Sequence, residues 1–212
     1  MIEYVDETHT YLYDGVIIPS VSEILRFIFP NKYSLVPKEV LNKKATYGST
    51  VHEAIEKLEQ GKVLSNLDYI QQASIDQYFK LKEKYNIEVI KQEQIINYED
   101  KYAGRFDMIA NINGIEALCD IKTTAELDSE YLSWQLSLYA YAYRNMYDED
   151  FGKLYAIWLP KKELGKVIEI QRKSDEEIKD MLEEYHNSII TEEDGYNSYI
   201  DGLVDDHRLG LI

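Results

Sequence analysis

The feature that most constrains the fold is the dipeptide Asn113-Gly114, which lies near the middle of an apolar stretch, residues 104–122. An Asn-Gly pair between two such runs is the strongest short-range signal for a two-residue turn, because both residues tolerate a positive φ. The sequence therefore predicts a β-hairpin over this stretch, in which Ile112 faces Ile115.

The same register predicts a pair of carboxylates on one face of the hairpin. Asp107 faces Asp120, and Lys122, two residues beyond, projects from the same face. Two carboxylates directly opposite each other have Cβ atoms roughly 5 Å apart and destabilise the sheet, so a cation should lie between them. The cation could be Lys122, Arg105 or a divalent metal, and Mg²⁺ or Mn²⁺ suits oxygen ligands at this spacing. The alternative is an ordinary charged surface hairpin, and a bulge would break the register.

Composition limits the class of protein. With 212 residues and 45% apolar residues, the chain can form one globular domain with a substantial core. No apolar run reaches membrane-spanning length, and residues 1–10 lack the basic and apolar regions of a signal peptide, so we expect a cytoplasmic protein without a membrane partner. Cys119 is the only cysteine, which excludes an intrachain disulfide and a cysteine-ligated iron–sulfur cluster within one chain.

The net charge of −16 argues against broad nonspecific binding to duplex DNA, which needs Lys and Arg to neutralise phosphates. It does not exclude a nucleic-acid enzyme, because metal ions offset carboxylates and a local basic groove can coexist with acidic outer faces. Much of the acid is concentrated in short runs, at residues 148–150, 175–177 and 192–194.

The N-terminal half predicts strands followed by helices. Residues 2–18 predict short strands around a turn at residues 14–15. Ser20 and Glu23 form a capping-box pattern that begins a short helix through Phe29.

A helical pattern then runs from Pro37 to Gly61, although Gly48 could interrupt it. A second helical pattern spans residues 67–85. His52 lies beside the apolar stripe of the first of these helices. A single His on a helix is usually structural, so a ligand role for His52 depends on the motifs that follow it.

A strand over residues 88–98 should pair with residues 102–112. Glu93 lies on this strand, where an exposed position is the ordinary interpretation. The remaining predicted elements are a helix from residue 128 or 129 to Tyr147, strands at 154–159 and 167–170, and a helix from Ser174 to about His186. This order predicts an α+β fold with a mixed central β-sheet flanked by helices.

An ordered set of motifs on these elements resembles those of the PD-(D/E)XK nuclease superfamily, in its RecB-like branch of phage and mitochondrial-type exonucleases. The motifs are Gly104-x-x-Asp107, Asp120-Ile121-Lys122 and Gln135-x-x-x-Tyr139, preceded by His52. The resemblance covers about residues 8–160. The first acidic motif has Phe106 where many members have proline, a frequent variation in the family. RecB-like enzymes often have a glutamate near the active site on the strand that carries Glu93, and this position and an exposed one are equally favoured.

The resemblance implies a restriction-endonuclease-like nuclease core that binds Mg²⁺ or Mn²⁺. The metal ligands would be the side chains of His52, Asp107 and Asp120 and the backbone carbonyl of Ile121. Lys122 would help to activate water. Gln135 and Tyr139, four residues apart on one helix face, would contact the substrate or orient the catalytic groups, and so complete a catalytic set with Lys122, Asp107 and Asp120.

The function implied is a metal-dependent DNA nuclease, with exonuclease activity expected, formed by a single domain over residues 1–212. Its parts would be an N-terminal hairpin and short helix (1–30), a catalytic core (49–170) and a C-terminal appendage (188–212). DNA would be the substrate. The resemblance leaves open whether the chain binds a protein partner or forms a homo-oligomer. If the protein is encoded by a phage, it would act in the cytoplasm of the bacterial host. The alternatives are an inactive nuclease-like DNA- or protein-binding module, an acidic DNA-mimic protein, and a metal-dependent phosphatase of small substrates.

Overall fold

The computed structural model describes residues 1–64 and 67–190. The elements in chain order are β1 (Ile2–Val5), β2 (Thr10–Tyr13), β3 (Val16–Ile18), α1 (Val21–Ile28), α2 (Lys38–Glu59), α3 (Tyr69–Lys84), β4 (Ile87–Tyr98), β5 (Tyr102–Ile112), β6 (Ile115–Lys122), α4 (Ser129–Tyr147), β7 (Lys153–Trp158), β8 (Lys166–Glu169) and α5 (Asp175–Ile190). The fold is α+β, as predicted.

The described strands form two sheets. The first has the order β1-β2-β3 and the second the order β4-β5-β6-β7-β8. Neighbouring strands run antiparallel except for β6 and β7, which are parallel and are joined through α4. A parallel pair requires such a crossover connection, and this pair makes the central sheet mixed.

The predicted hairpin forms with its predicted turn. Asn113 and Gly114 have φ values of +52° and +86°, which is the positive-φ pair of a tight hairpin turn. The ladder between β5 and β6 starts at Ile112–Ile115 and continues in the predicted register.

Buried apolar clusters cover both faces of the central sheet. One includes side chains of α1, α4 and α5, and the other includes side chains of α2 and α3. Helix α4 is buried along most of its length, and its Leu138 carbonyl accepts a 2.8 Å hydrogen bond from the Tyr102 hydroxyl of β5. None of the helices in the described ranges is long and apolar enough to cross a membrane.

The N-terminal sheet is joined to the central sheet beside Gly104. The Ala103 amide donates to the Pro19 carbonyl at 2.9 Å, and Ser20 forms a bridge with Ala103. The predicted capping box between Ser20 and Glu23 then begins α1. This junction holds the start of α1 against the strand that carries Asp107.

Two helices differ from the prediction, one in its continuity and one in its end. Helix α2 continues through Gly48, where a Cβ would lie 3.4 Å from Thr123 Oγ1, so the glycine allows a close approach of the helix to the end of β6 rather than a break. Helix α5 extends past His186 to Ile190. The predicted appendage therefore starts inside α5, and its remainder, residues 191–212, lies outside the described residues.

Candidate active site

The hairpin ladder stops one residue pair before the two carboxylates. The last regular pair is Met108–Cys119, so the expected direct pairing of Asp107 with Asp120 does not form. Instead, Asp107 Oδ2 accepts a 2.6 Å hydrogen bond from the Ile121 amide. The carboxylate takes the place of a main-chain carbonyl, and regular pairing of the two strands ends there.

Strand β5 is irregular at Asp107, and so is its neighbour β4 at the position opposite Asp107. Phe106 and Met108 belong to the clusters on opposite faces of the sheet, although residues two apart in a regular strand share a face. Glu93 of β4, which lies across from Asp107 between two regular pairs, has a φ of +49°. A positive φ is uncommon for a residue with a side chain, and such strain is frequent at functional sites.

Helix α2 brings His52 to Asp107. His52 Nδ1 lies 3.4 Å from Asp107 Oδ2, and both side chains are partly buried. Burial alone would raise the pKa of Asp107, but His52, Lys122 and the Ile121 amide outweigh it, and the pKa falls below its usual value. Burial lowers the pKa of His52, yet the Asp107 carboxylate outweighs this effect and raises it.

Strand β6 presents Asp120 and Lys122 on one face, as predicted. Lys122 Nζ lies 2.7 Å from Asp120 Oδ2, and only 4% of the Asp120 side chain is exposed. Burial, together with the negative charge of Asp107, raises the pKa of Asp120 to about 6, although Lys122 opposes the shift. Burial lowers the pKa of Lys122, but the two carboxylates outweigh it and the net shift is upward.

Arg105 is not the cation between the carboxylates. Its Nε lies 3.0 Å from Glu93 Oε2, and its guanidinium carbon lies 5.2 Å from the centre of the Tyr4 ring. Burial, with the nearby Asp107 charge, raises the pKa of Glu93 to about 7. Of the two positions predicted for Glu93, the structure favours the one beside the carboxylates.

The two residues predicted on α4 differ in their surroundings. The Tyr139 side chain is buried, and a Cβ on Gly104 would lie 2.6 Å from Tyr139 Cε1, so the glycine of the first motif makes room for this ring. Burial raises the pKa of Tyr139 well above 10, against a hydrogen bond from Gln135 that lowers it. Gln135 Oε1 is buried and has no hydrogen-bond partner among the described residues.

Two tyrosines whose pKa values are affected by the Lys122 charge were not singled out from the sequence. Burial raises the pKa of Tyr131 to about 12 and also raises that of Tyr33, and the Lys122 ammonium opposes both shifts. Both tyrosines line one cavity of about 170 Å³. No spacing signal predicts this neighbourhood, because residue 33 lies in an irregular segment far from the hairpin in sequence.

The donor atoms at this site fit a hard divalent cation. The carboxylates of Asp107 and Asp120 and the imidazole of His52 are suitable ligands. The Ile121 carbonyl points to the same side of β6 as its amide, into the space where the ladder ends. Within residues 1–64 and 67–190, however, no three His, Cys, Asp or Glu side chains are gathered as ligands. Asp107 contacts His52 and Asp120 contacts Lys122, so coordination of one ion would require the side chains of His52, Asp107 and Asp120 to move closer together.

No protein-family model matches this chain, and no curated protein matches it. Among solved structures, one described as "Crystal structure of SSO0001" is similar with a TM-score of 0.36 and 18% sequence identity, over 80% of this chain and 84% of that chain. A likeness of this strength carries no argument about function.

Proposed function

We propose that this chain is a DNA nuclease that hydrolyses phosphodiester bonds with Mg²⁺ or Mn²⁺, as an exonuclease acting in the cytoplasm. A single domain with a restriction-endonuclease-like core would supply the site. The observation that carries the proposal is the meeting of His52, Asp107, Asp120 and Lys122, from α2, β5 and β6, where the hairpin ladder ends.

Each residue has a role that its position supports. Asp107 is held by the Ile121 amide, so its carboxylate has a fixed orientation toward the space between the strands. Asp120 is buried, and burial raises its pKa because it disfavours the ionised form. A bound cation, in addition to Lys122, would stabilise the ionised carboxylate. A bound divalent cation would polarise a phosphoryl oxygen and lower the pKa of a water molecule.

Lys122 is the residue best placed to act on the attacking water. Its ammonium is held on the same face as Asp120 and can donate hydrogen bonds to the water or to the phosphoryl oxygens. In the family that the motifs resemble, the corresponding lysine positions or deprotonates this water. The buried amide of Gln135 would help to orient the strand, and Tyr139 would hold β5 in place through Gly104.

The charge around the site is more favourable for DNA than the net charge suggests. Arg26 and Lys32 line the same cavity as Tyr131, whose pKa the Lys122 charge affects, although Lys32 is itself paired with Asp128. Few phosphates would be neutralised by so small a group, so binding should rest on the site itself rather than on a broad basic surface.

The test is a cleavage assay with 5′- and 3′-labelled single- and double-stranded DNA, with Mn²⁺, with Mg²⁺ and with chelator. We expect cleavage with either metal and none with chelator, and the label that is released first gives the polarity. The absence of cleavage with both metals would overturn the proposal. DNA binding without cleavage would then favour an inactive binding module, and competition with DNA for a DNA-binding protein would favour a mimic, which the charge of −16 supports.

A further inference from the structure

We propose that the cavity beside Lys122 binds one unpaired nucleobase of the strand being cut. This inference rests on the proposed nuclease function and adds a substrate-binding subsite to it. The cavity lies between α1, the segment that follows it and the first turn of α4. Its walls include Arg26, Phe29, Lys32, Tyr33 and Tyr131.

The position of the cavity places a bound base next to the reacting phosphate. Tyr131, on the cavity wall, lies in the first turn of α4, four residues before Gln135 and therefore on the same helix face. Gln135 in turn hydrogen-bonds to Tyr139, whose ring packs against Gly104 of the first motif, so this face of α4 leads from the cavity to the candidate site. A nucleotide whose phosphate lies at Lys122 therefore has the cavity within reach of its base.

The walls have the chemistry of a base-stacking site. Phe29, Tyr33 and Tyr131 provide aromatic surfaces, and Tyr33 is well exposed. Aromatic side chains combined with cations are the usual means of binding single-stranded nucleic acid, because every base has a π-face. Arg26, also on the wall, adds a positive charge that suits the attached phosphate.

One wall is fixed in place before any ligand binds. Lys32 Nζ lies 4.1 Å from the centre of the Tyr131 ring and forms an ion pair with Asp128. Asp128 is also the N-cap of α4, where its side chain accepts a hydrogen bond from the Tyr131 amide. These contacts connect the segment after α1 to α4 and hold the Tyr131 ring at the edge of the cavity.

The size of the cavity determines the state of the substrate. A volume of about 170 Å³ accommodates one base but not a base pair. A base within a duplex would first have to unpair and unstack, at a cost in free energy. The cavity therefore favours a strand whose base near the cut is already unpaired.

The experiment moves a single abasic site along a labelled single-stranded oligonucleotide and measures cleavage by the wild-type protein with Mn²⁺. We expect the rate to fall about tenfold when the abasic site reaches one position near the cut, the loss typical of one stacked base. The Tyr131→Leu variant should show a similar loss on intact DNA, with little further loss at that position, because both changes remove the same contact.

Tyr147→Leu is the matched control, since Tyr147 lies at the other end of α4 and is exposed. Equal cleavage at every abasic position, with Tyr131→Leu as active as Tyr147→Leu, would overturn the base-binding subsite while leaving the nuclease proposal intact. No cleavage of any DNA by the wild type would overturn both. If Tyr131→Leu fails to fold, the abasic series on the wild-type protein decides the matter.

Discussion

The two ends of the central hairpin differ sharply. At the closed end, Asn113-Gly114 make a tight turn and the first pairs are regular, with the Gly114 amide donating to Asn111 Oδ1 at 2.7 Å. At the open end, the Asp107 carboxylate replaces a main-chain acceptor for the Ile121 amide, and the ladder stops.

The comparison shows how a sheet can make room for a polar site. A regular ladder satisfies every main-chain donor and acceptor with other main-chain groups, which leaves no opening for a ligand. Where a side chain satisfies the amide instead, the neighbouring carbonyl and carboxylates are left available. The candidate site thus lies where the hairpin departs from regular pairing.

The largest expected effect is on activity at the open end. Lys122→Ala should lower the rate of DNA cleavage at least a hundredfold, because it removes the group proposed to orient water and to stabilise developing charge. Lys153→Ala is the matched control, since Lys153 lies on β7 level with the regular part of the hairpin and pairs with Glu169. Cleavage rates of the two variants under identical conditions provide the measurement.

Metal binding should survive the same substitution, because a protonated lysine donates hydrogen bonds and cannot act as a ligand. Calorimetric titration of Lys122→Ala with Mn²⁺ measures this directly. A folded variant that no longer binds Mn²⁺ would mean that Lys122 organises the carboxylates rather than the water.

The second effect concerns metal and stability. At pH 7.5, above the folded pKa of Asp120 of about 6, ionised Asp120 costs stability because its folded pKa exceeds its unfolded value. Asp120→Asn should therefore raise the metal-free melting temperature slightly. In the wild type, Mn²⁺ at a hundredfold excess over its dissociation constant should stabilise the fold by about 2.7 kcal/mol, roughly 5–10 °C in melting temperature.

Asp120→Asn should lose most of that response, whereas Glu116→Gln, an exposed site on the regular part of β6, should keep it. Thermal melts with chelator and with millimolar Mn²⁺ make the comparison. If the wild type melts at the same temperature in both conditions, the open end of the hairpin is an ordinary charged surface rather than a metal site.

The third effect is a difference in stability and activity between substitutions of Gly104 in β5 and of Gly114 in the hairpin turn. Gly104→Ala should destabilise the fold by about 1–3 kcal/mol and lower the cleavage rate, because its Cβ would lie 2.6 Å from Tyr139 Cε1 and displace the strand that carries Asp107. Gly114→Ala should cost about 1 kcal/mol from its φ of +86° alone, since no atom lies within 4 Å of its Cβ. Its cleavage rate should match the wild type, and urea unfolding with kinetic assays tests both.

The smallest effect is a pH dependence. The pKa of Glu93 is raised to about 7, above its unfolded value of about 4.3, so the folded state holds this proton longer. The contribution of Glu93 to stability should fall as pH rises from about 4.3 to 7, so the stability of Glu93→Gln should fall less, or rise more, with pH than that of the wild type. The difference in slope between the two proteins, measured by thermal melts with chelator at pH 5 to 8, is the observable. Parallel slopes would show that Arg105 already keeps Glu93 ionised.

Local sequence determined the regular parts of this protein. The positive φ of Asn113-Gly114 set the turn and with it the register, and the Ser20–Glu23 capping box set the start of α1. Asp120 and Lys122 share a face because strand side chains alternate. These outcomes depend on residues close together in the chain, so patterns alone predict them.

Tertiary structure decided how the site is arranged. Asp107 meets the Ile121 amide rather than Asp120, and Arg105 pairs with Glu93 rather than with the two carboxylates. Each of these contacts joins residues on different elements, and each is selected by competition among partners for a buried charge. Such competition depends on distances across the folded core, which periodicity and spacing along a single chain do not contain.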